Sequence, residues 1–422
     1  MIAYPPFGSA SFQLVAKGLV ALHVLGKEGK DDSPEAESVR DSLDLPLAAL
    51  NRIEKERAQW LSEDLYSVSE PSSAIQKEMN PQAQQQLSEA IEAQLKGEWD
   101  RALGLLRRWR EYIAPSVLSY IRGSIWLAAG NADIATMFYG HAMENDPDNV
   151  NYQAIYLRAL SESDTDSATN RANQILIDNV KYSPVVVSIA AEIRFNEIET
   201  ASVADAAQIC RDLTRILEKN LIRIENEEGA DSVSITRQCS VMLMGFCNEI
   251  LGNIGAAVSN FSHGLRMNPR ADALLIARGN LMYGTSTHAI SDFEQAVGLG
   301  SPLIWPYFFL AHHYLFASRF EQCRVMCETG LKMKGSDTAK SQLEEWRAIA
   351  QAELGFPPEL VRMAFEAATR LDPTNESAKR NQDSYEAYLK APHSDLRSIW
   401  EQKSYSAIRQ FGLAERRYSL AA

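Results

Sequence analysis

An all-α fold of stacked helical hairpins is predicted by three features of this 422-residue sequence. The first is a repeated spacing. In residues 252–269 (GNIGAAVSNFSHGLRMNP), Gly252, Ala257, Phe261, Gly264 and Pro269 step by 5, 4, 3 and 5; in residues 130–147 (GNADIATMFYGHAMENDP), Gly130, Ala135, Tyr139, Ala142 and Pro147 step identically. The second is that glycine and proline cluster at the junctions this spacing proposes. The third is the scarcity of the alternating pattern that marks strands.

Each element of the unit has a physical reason. Gly252 supplies a turn, and Ala257 and Phe261, four apart, place a small and a large apolar group on one helix face. The alanine lets a neighbouring helix approach and the aromatic fills the space beyond it. Asn268-Pro269 ends the helix, because the residue before proline is pushed out of the α region. Such a hairpin cannot bury its apolar face alone and must stack on copies of itself.

Further copies follow. Gly284, Ala289, Phe293 and Ala296 keep the steps, and Ala289 lies 32 residues after Ala257. Ser318, Cys323, Cys327 and Gly330 form the next, 34 residues on. Gly355, Phe365, Ala368 and Pro373 form another, with one extra turn residue; Gly97, Ala102, Leu106 and Trp109 give a copy 33 residues before that of Ala135.

This spacing resembles the tetratricopeptide repeat, a helical hairpin of about 34 residues. The resemblance covers about residues 83–374 and implies a right-handed superhelical solenoid that serves as a protein-interaction scaffold. Ala135 and Ala257 are 122 residues apart, 20 more than three periods, so two weaker units fit at about 151–182 and 183–221, with an insertion near 201–235. That makes eight units in residues 81–374, preceded by a helical N-terminal extension in 1–80 and followed by a capping helix and helical tail in 375–422.

In the extension, residues 11–25 (SFQLVAKGLVALHVL) read as one helix, apolar on most sides and therefore in need of cover from the solenoid, another protein or a membrane surface. Residues 26–38 (GKEGKDDSPEAES) read as a mobile linker, and a second helix is expected from about Leu45 to Glu63, followed by the loop SVSEPSS. Polar residues 161–167 read as a turn. Residues 202–224 form a long helical pattern running into a solvated acidic loop, ENEEGADS. Residues 375–390 read as a polar capping helix, and 394–420 as an amphipathic, basic tail that lies on the body or faces a partner.

Residues 304–316 (IWPYFFLAHHYLF) stand out for function. Tyr307, Leu310, Ala311 and Tyr314 fall where the unit packs internally, whereas Trp305, Phe308, His312 and Leu315 step by 3, 4 and 3 along a second face, with Phe316 beside it. In the family resembled, this face belongs to the inner, concave surface, so these five residues are the candidate contact for a protein or peptide partner. The alternative is a structural subunit whose own terminal segments fill that groove. One subclass of the family clamps acidic C-termini with lysines and asparagines on the inner face. The corresponding positions here are Leu87, Ile91, Tyr120, Ser124, Met242, Phe246, Leu274, Arg278, Phe308 and His312; only Arg278 is basic and none is asparagine, which favours apolar or aromatic contacts.

Composition sets the remaining bounds. A formal charge of −13 argues against a nucleic-acid surface, so no nucleic-acid partner is expected. No apolar run reaches the length of a membrane span, and residues 1–13 show no secretory pattern. Five cysteines without C-x-x-C spacing read as free thiols of a cytoplasmic protein, with Cys323 and Cys327 as packing residues. Phosphate-cradling glycine loops, H-E-x-x-H, G-x-S-x-G and EF-hand spacings do not occur, and the adjacent His312 and His313 diverge by about 100° on a helix. No catalytic residue, metal or cofactor is therefore expected.

Overall fold

The computed structural model describes residues 7–69, 77–226, 231–391 and 395–413; the acidic loop 227–230, the loop 70–76 and the tail beyond Leu413 (with Arg416 and Arg417) lie outside them. Among the described residues the regular elements are helices, and a single parallel bridge joins Leu303 to Lys334. The chain divides into two compact units, Met1–Arg194 and Phe195–Ala422.

In the first unit, α1 (Ala10–Lys27), α2 (Pro34–Ala49) and α3 (Arg52–Ser69) precede α4 (Pro81–Leu95), α5 (Trp99–Arg108), α6 (Pro115–Ala128), α7 (Ala132–Asn145), α8 (Val150–Ser163), α9 (Thr165–Ile177) and α10 (Pro184–Asn196), whose last residues cross the boundary. The second holds α11 (Val203–Asn226), α12 (Asp231–Ile250), α13 (Ile254–Met267), α14 (Asp272–Met282), α15 (His288–Gly298), α16 (Trp305–Phe316), α17 (Phe320–Gly330), α18 (Asp337–Glu353), α19 (Pro358–Leu371), α20 (Glu376–Lys390) and α21 (Tyr405–Gln410). The pairs α4 with α5, α6 with α7 and α8 with α9 in the first unit, and α12 with α13, α14 with α15, α16 with α17 and α18 with α19 in the second, pack as tetratricopeptide-like hairpins.

Two details show why the hairpins form. The turn residues Gly97, Gly130, Gly252, Gly284 and Gly355 all have φ between 74° and 83°, the left-handed conformation that ends a helix, and Ser318 adopts it too at 57°. On α6, α12 and α14 a glycine admits the aromatic of the helix that follows. A Cβ added at Gly123 would lie 2.7 Å from the Tyr139 ring and one at Gly279 2.8 Å from Phe293; one at Gly245 would collide with Phe261. Cys323 and Cys327 occupy the equivalent packing positions, buried with free thiols.

The N-terminal segment differs from expectation. Residues 34–38 are not linker, because Ser33 caps and Pro34 opens α2. The single helix expected over 45–63 is two. The chain breaks at Leu50, and Asn51 and Glu54 form a reciprocal cap, Glu54 N donating to Asn51 Oδ1 (3.0 Å) and Asn51 N to Glu54 Oε2 (3.2 Å). The cover α1 needs comes from its own unit: Phe12 stacks on Trp126 at 6.4 Å and Phe7 meets the same ring at 5.2 Å. From α3, buried Asp64 accepts from Arg107 (2.8 Å) on α5 and Arg122 (2.7 Å) on α6. The polar turn expected at 161–167 is one residue, Asp164, which ends α8 and caps α9.

Candidate functional site

The first helices of the last hairpins, α16 and α18, together with α20, present one face to residues 395–413. The aromatic content of α16 leaves that face apolar, and the C-terminal segment covers it. Trp305, Phe308, His312 and Leu315 are all buried, and Phe316 is 50% exposed. Phe411 stacks on Phe308 at 5.0 Å, Gly412 lies so close to Trp305 that a Cβ there would meet the indole at 2.6 Å, and Tyr405 packs on His312 (5.3 Å), Phe316 (4.9 Å) and Tyr283 (4.9 Å). Ile408 of α21 is fully buried. The five residues singled out from the sequence are thus brought together, and the tail lies over them.

The polar contacts run to the tail backbone. Asn381 on α20 accepts from Glu401 N at 2.7 Å and donates to Glu401 O at 3.1 Å, a two-point hold on one residue. His312 Nε2 lies 2.8 Å from the Lys403 carbonyl; a carbonyl only accepts, so Nε2 carries the proton and Nδ1 accepts from the Tyr283 hydroxyl at 2.8 Å. Burial beneath the tail lowers the His312 pKa from 6.5 to about 4, the Lys403 carbonyl pulling the other way.

Side chains complete the site. Trp400 stacks on Tyr385 at 6.0 Å and donates Nε1–H to Glu353 at 2.7 Å. Lys403 Nζ reaches Gln342 Oε1 beside Glu345. Glu345 is itself held by Gln342 (2.6 Å), Ser377 (2.8 Å) and Asn381 (2.8 Å). Burial pushes Glu345 up and Lys403 down, each opposed by the charge of the other.

Sequence reading missed Gln342, Glu345, Glu353, Asn381 and Tyr385. The signal available was a run of polar residues on helical spacing in α18 and α20, which also describes a solvated cap. Elsewhere, Arg278, the one basic residue at the clamp positions, is tied to Asp292 at 2.7 Å. Among the described residues no cluster of three histidine, cysteine or acidic side chains is placed to hold a metal, and no helix is long and apolar enough to cross a membrane.

No family model matches the chain, and no curated protein matches it. Among solved structures, it is similar to a tetratricopeptide repeat protein from Parabacteroides merdae (15% identity, TM-score 0.41, 69% of this chain and 100% of that one). It is also similar to yeast Tom70 (11%, 0.31, 80% and 75%) and to the human IFIT1 dimer with m7Gppp-AAAA (13%, 0.39, 99% and 95%). All these scores are below 0.5, and the helical-hairpin architecture rests on the packing described above.

Proposed function

We propose that the chain is a non-catalytic protein-interaction scaffold, and that the face of α16, α18 and α20 is a peptide-binding surface held in cis by the C-terminal tail. The observation that carries this reading is the two-point hold of Asn381 on the Glu401 backbone, joined by His312 on Lys403 O. Backbone-directed side chains on a helical scaffold are what binding of an extended segment requires. A second reading, a structural subunit with the tail as a permanent part of its core, is favoured by the complete burial of Ile408.

Trypsin tests the first. In the wild-type protein Lys403 and Arg409 should resist cleavage while the exposed Lys390 is cut. Trp305→Ala or Phe308→Ala should expose both without loss of helicity. Cleavage at Lys403 in the wild type as fast as at Lys390 would sink the proposal.

A further inference from the structure

Resting on that reading, we infer that the α16, α18 and α20 face recognises an extended segment of the pattern aromatic-x-x-Lys-x-aromatic, met in cis as residues 400–405 (WEQKSY) and in trans on a partner protein. The backbone contacts fall on residues 401 and 403, two apart, the repeat at which an extended chain presents equivalent groups to one side. The side chains alternate from Gln402 to Tyr405, and Trp400 turns inward again ahead of them. Trp400 is buried and Lys403 and Tyr405 are half-buried, whereas Glu401, Gln402 and Ser404 are exposed. Those exposed positions are the variable ones in the pattern.

The lysine position carries the specificity. Glu345 is 1% exposed and its carboxylate is positioned by Gln342, Ser377 and Asn381 before any cation arrives. Gln342 presents its Oε1 to the Lys403 ammonium while its own amide N–H holds Glu345, so the buried carboxylate fixes the orientation of the oxygen that meets the lysine. The Trp400 position is read twice, by the Tyr385 ring and by Glu353 on the indole N–H. Beyond residue 405 the segment turns into α21, where Ile408 is fully buried, and Phe411 just past its end stacks on Phe308.

The test uses the full chain and a fluorescent peptide of residues 398–413. In a Trp400→Ala/Lys403→Ala chain the cis contact is weakened, and the peptide should bind that variant more tightly than it binds wild type. A peptide carrying Lys403→Met should lose about 10-fold or more in affinity, the range for losing a hydrogen bond made by a charged group. Adding Asn381→Ala to the host chain should also weaken the peptide. Equal binding of the Met and Lys peptides would overturn the specificity inferred here and leave the scaffold reading standing. No binding of any peptide to a variant of native helicity would overturn that reading itself. If wild type forms concentration-dependent dimers that Lys403→Ala abolishes, the trans occupant is the tail of a second copy, and the inference of a separate partner fails.

Discussion

Lowering the pH should loosen the tail through His312. The ring is 1% exposed, and its pKa falls from 6.5 to about 4 because burial penalises the charged form. Between these values the unfolded chain binds a proton that the folded chain does not. Stability of the second unit is therefore undiminished above about pH 6.5, declines as pH falls toward 4, and is flat below. At about 1.4 kcal/mol per pKa unit, the full loss is about 3 kcal/mol. The geometry makes this an upper figure. A protonated Nδ1 would find Tyr283 ready to accept, since that hydroxyl can turn its own proton to the Phe309 carbonyl 2.9 Å away. Glu345, raised by burial, and Lys403 and His313, lowered by it, also face this region, so the assay is a difference. Urea unfolding of wild type and His312→Gln at pH 7.5 and pH 5 should show the steeper decline in wild type. Parallel pH dependence in the two proteins, or an imidazole titration for His312 near 6.5, would refute the reasoning.

Three further outcomes follow from the packing. Gly245→Ala should destabilise by about 1–3 kcal/mol, because its methyl would enter the Phe261 ring, while Gly255→Ala on the same hairpin, with nothing within 4 Å, should be neutral or stabilising by up to about 1 kcal/mol; chemical denaturation reads both. Ser318→Gly should raise stability by about 0.5–1 kcal/mol, since Ser318 holds a left-handed conformation that glycine adopts without penalty, and Ser318→Val should lower it; thermal unfolding distinguishes them. Asp64→Ala should cost about 3–5 kcal/mol in the first unit by leaving Arg122 buried without its carboxylate, measured by urea unfolding.

Much of the hairpin architecture was legible because it is encoded locally. A left-handed turn selects glycine, and a small residue on one helix is answered by an aromatic on its partner, so Gly130 with Tyr139 and Gly252 with Phe261 carry their register in plain spacing. Cap chemistry was present but overridden by composition. The charged stretch before α2 reads as linker, although Ser33-Pro34 and the Asn51 and Glu54 pair are helix-start signals. The five residues on α16 were found from an apolar second face, yet that face looks alike whether a partner or the chain itself covers it. What lies on it is set by contacts of long range, such as His312 to Lys403, 91 residues apart, and no local pattern encodes them. The polar helix α20 misled for a related reason. Asn381 and Tyr385 read as solvated until the tail is in place beside them.

Hydrogen exchange at the Glu401 amide tests the central claim most directly. This N–H lies outside any helix and donates to Asn381 Oδ1, so its protection reports the tail seated on the face of α16, α18 and α20. Slow exchange in the wild type and rapid exchange in Asn381→Ala is the predicted result. Exchange in the wild type at the rate of an unstructured chain would contradict it.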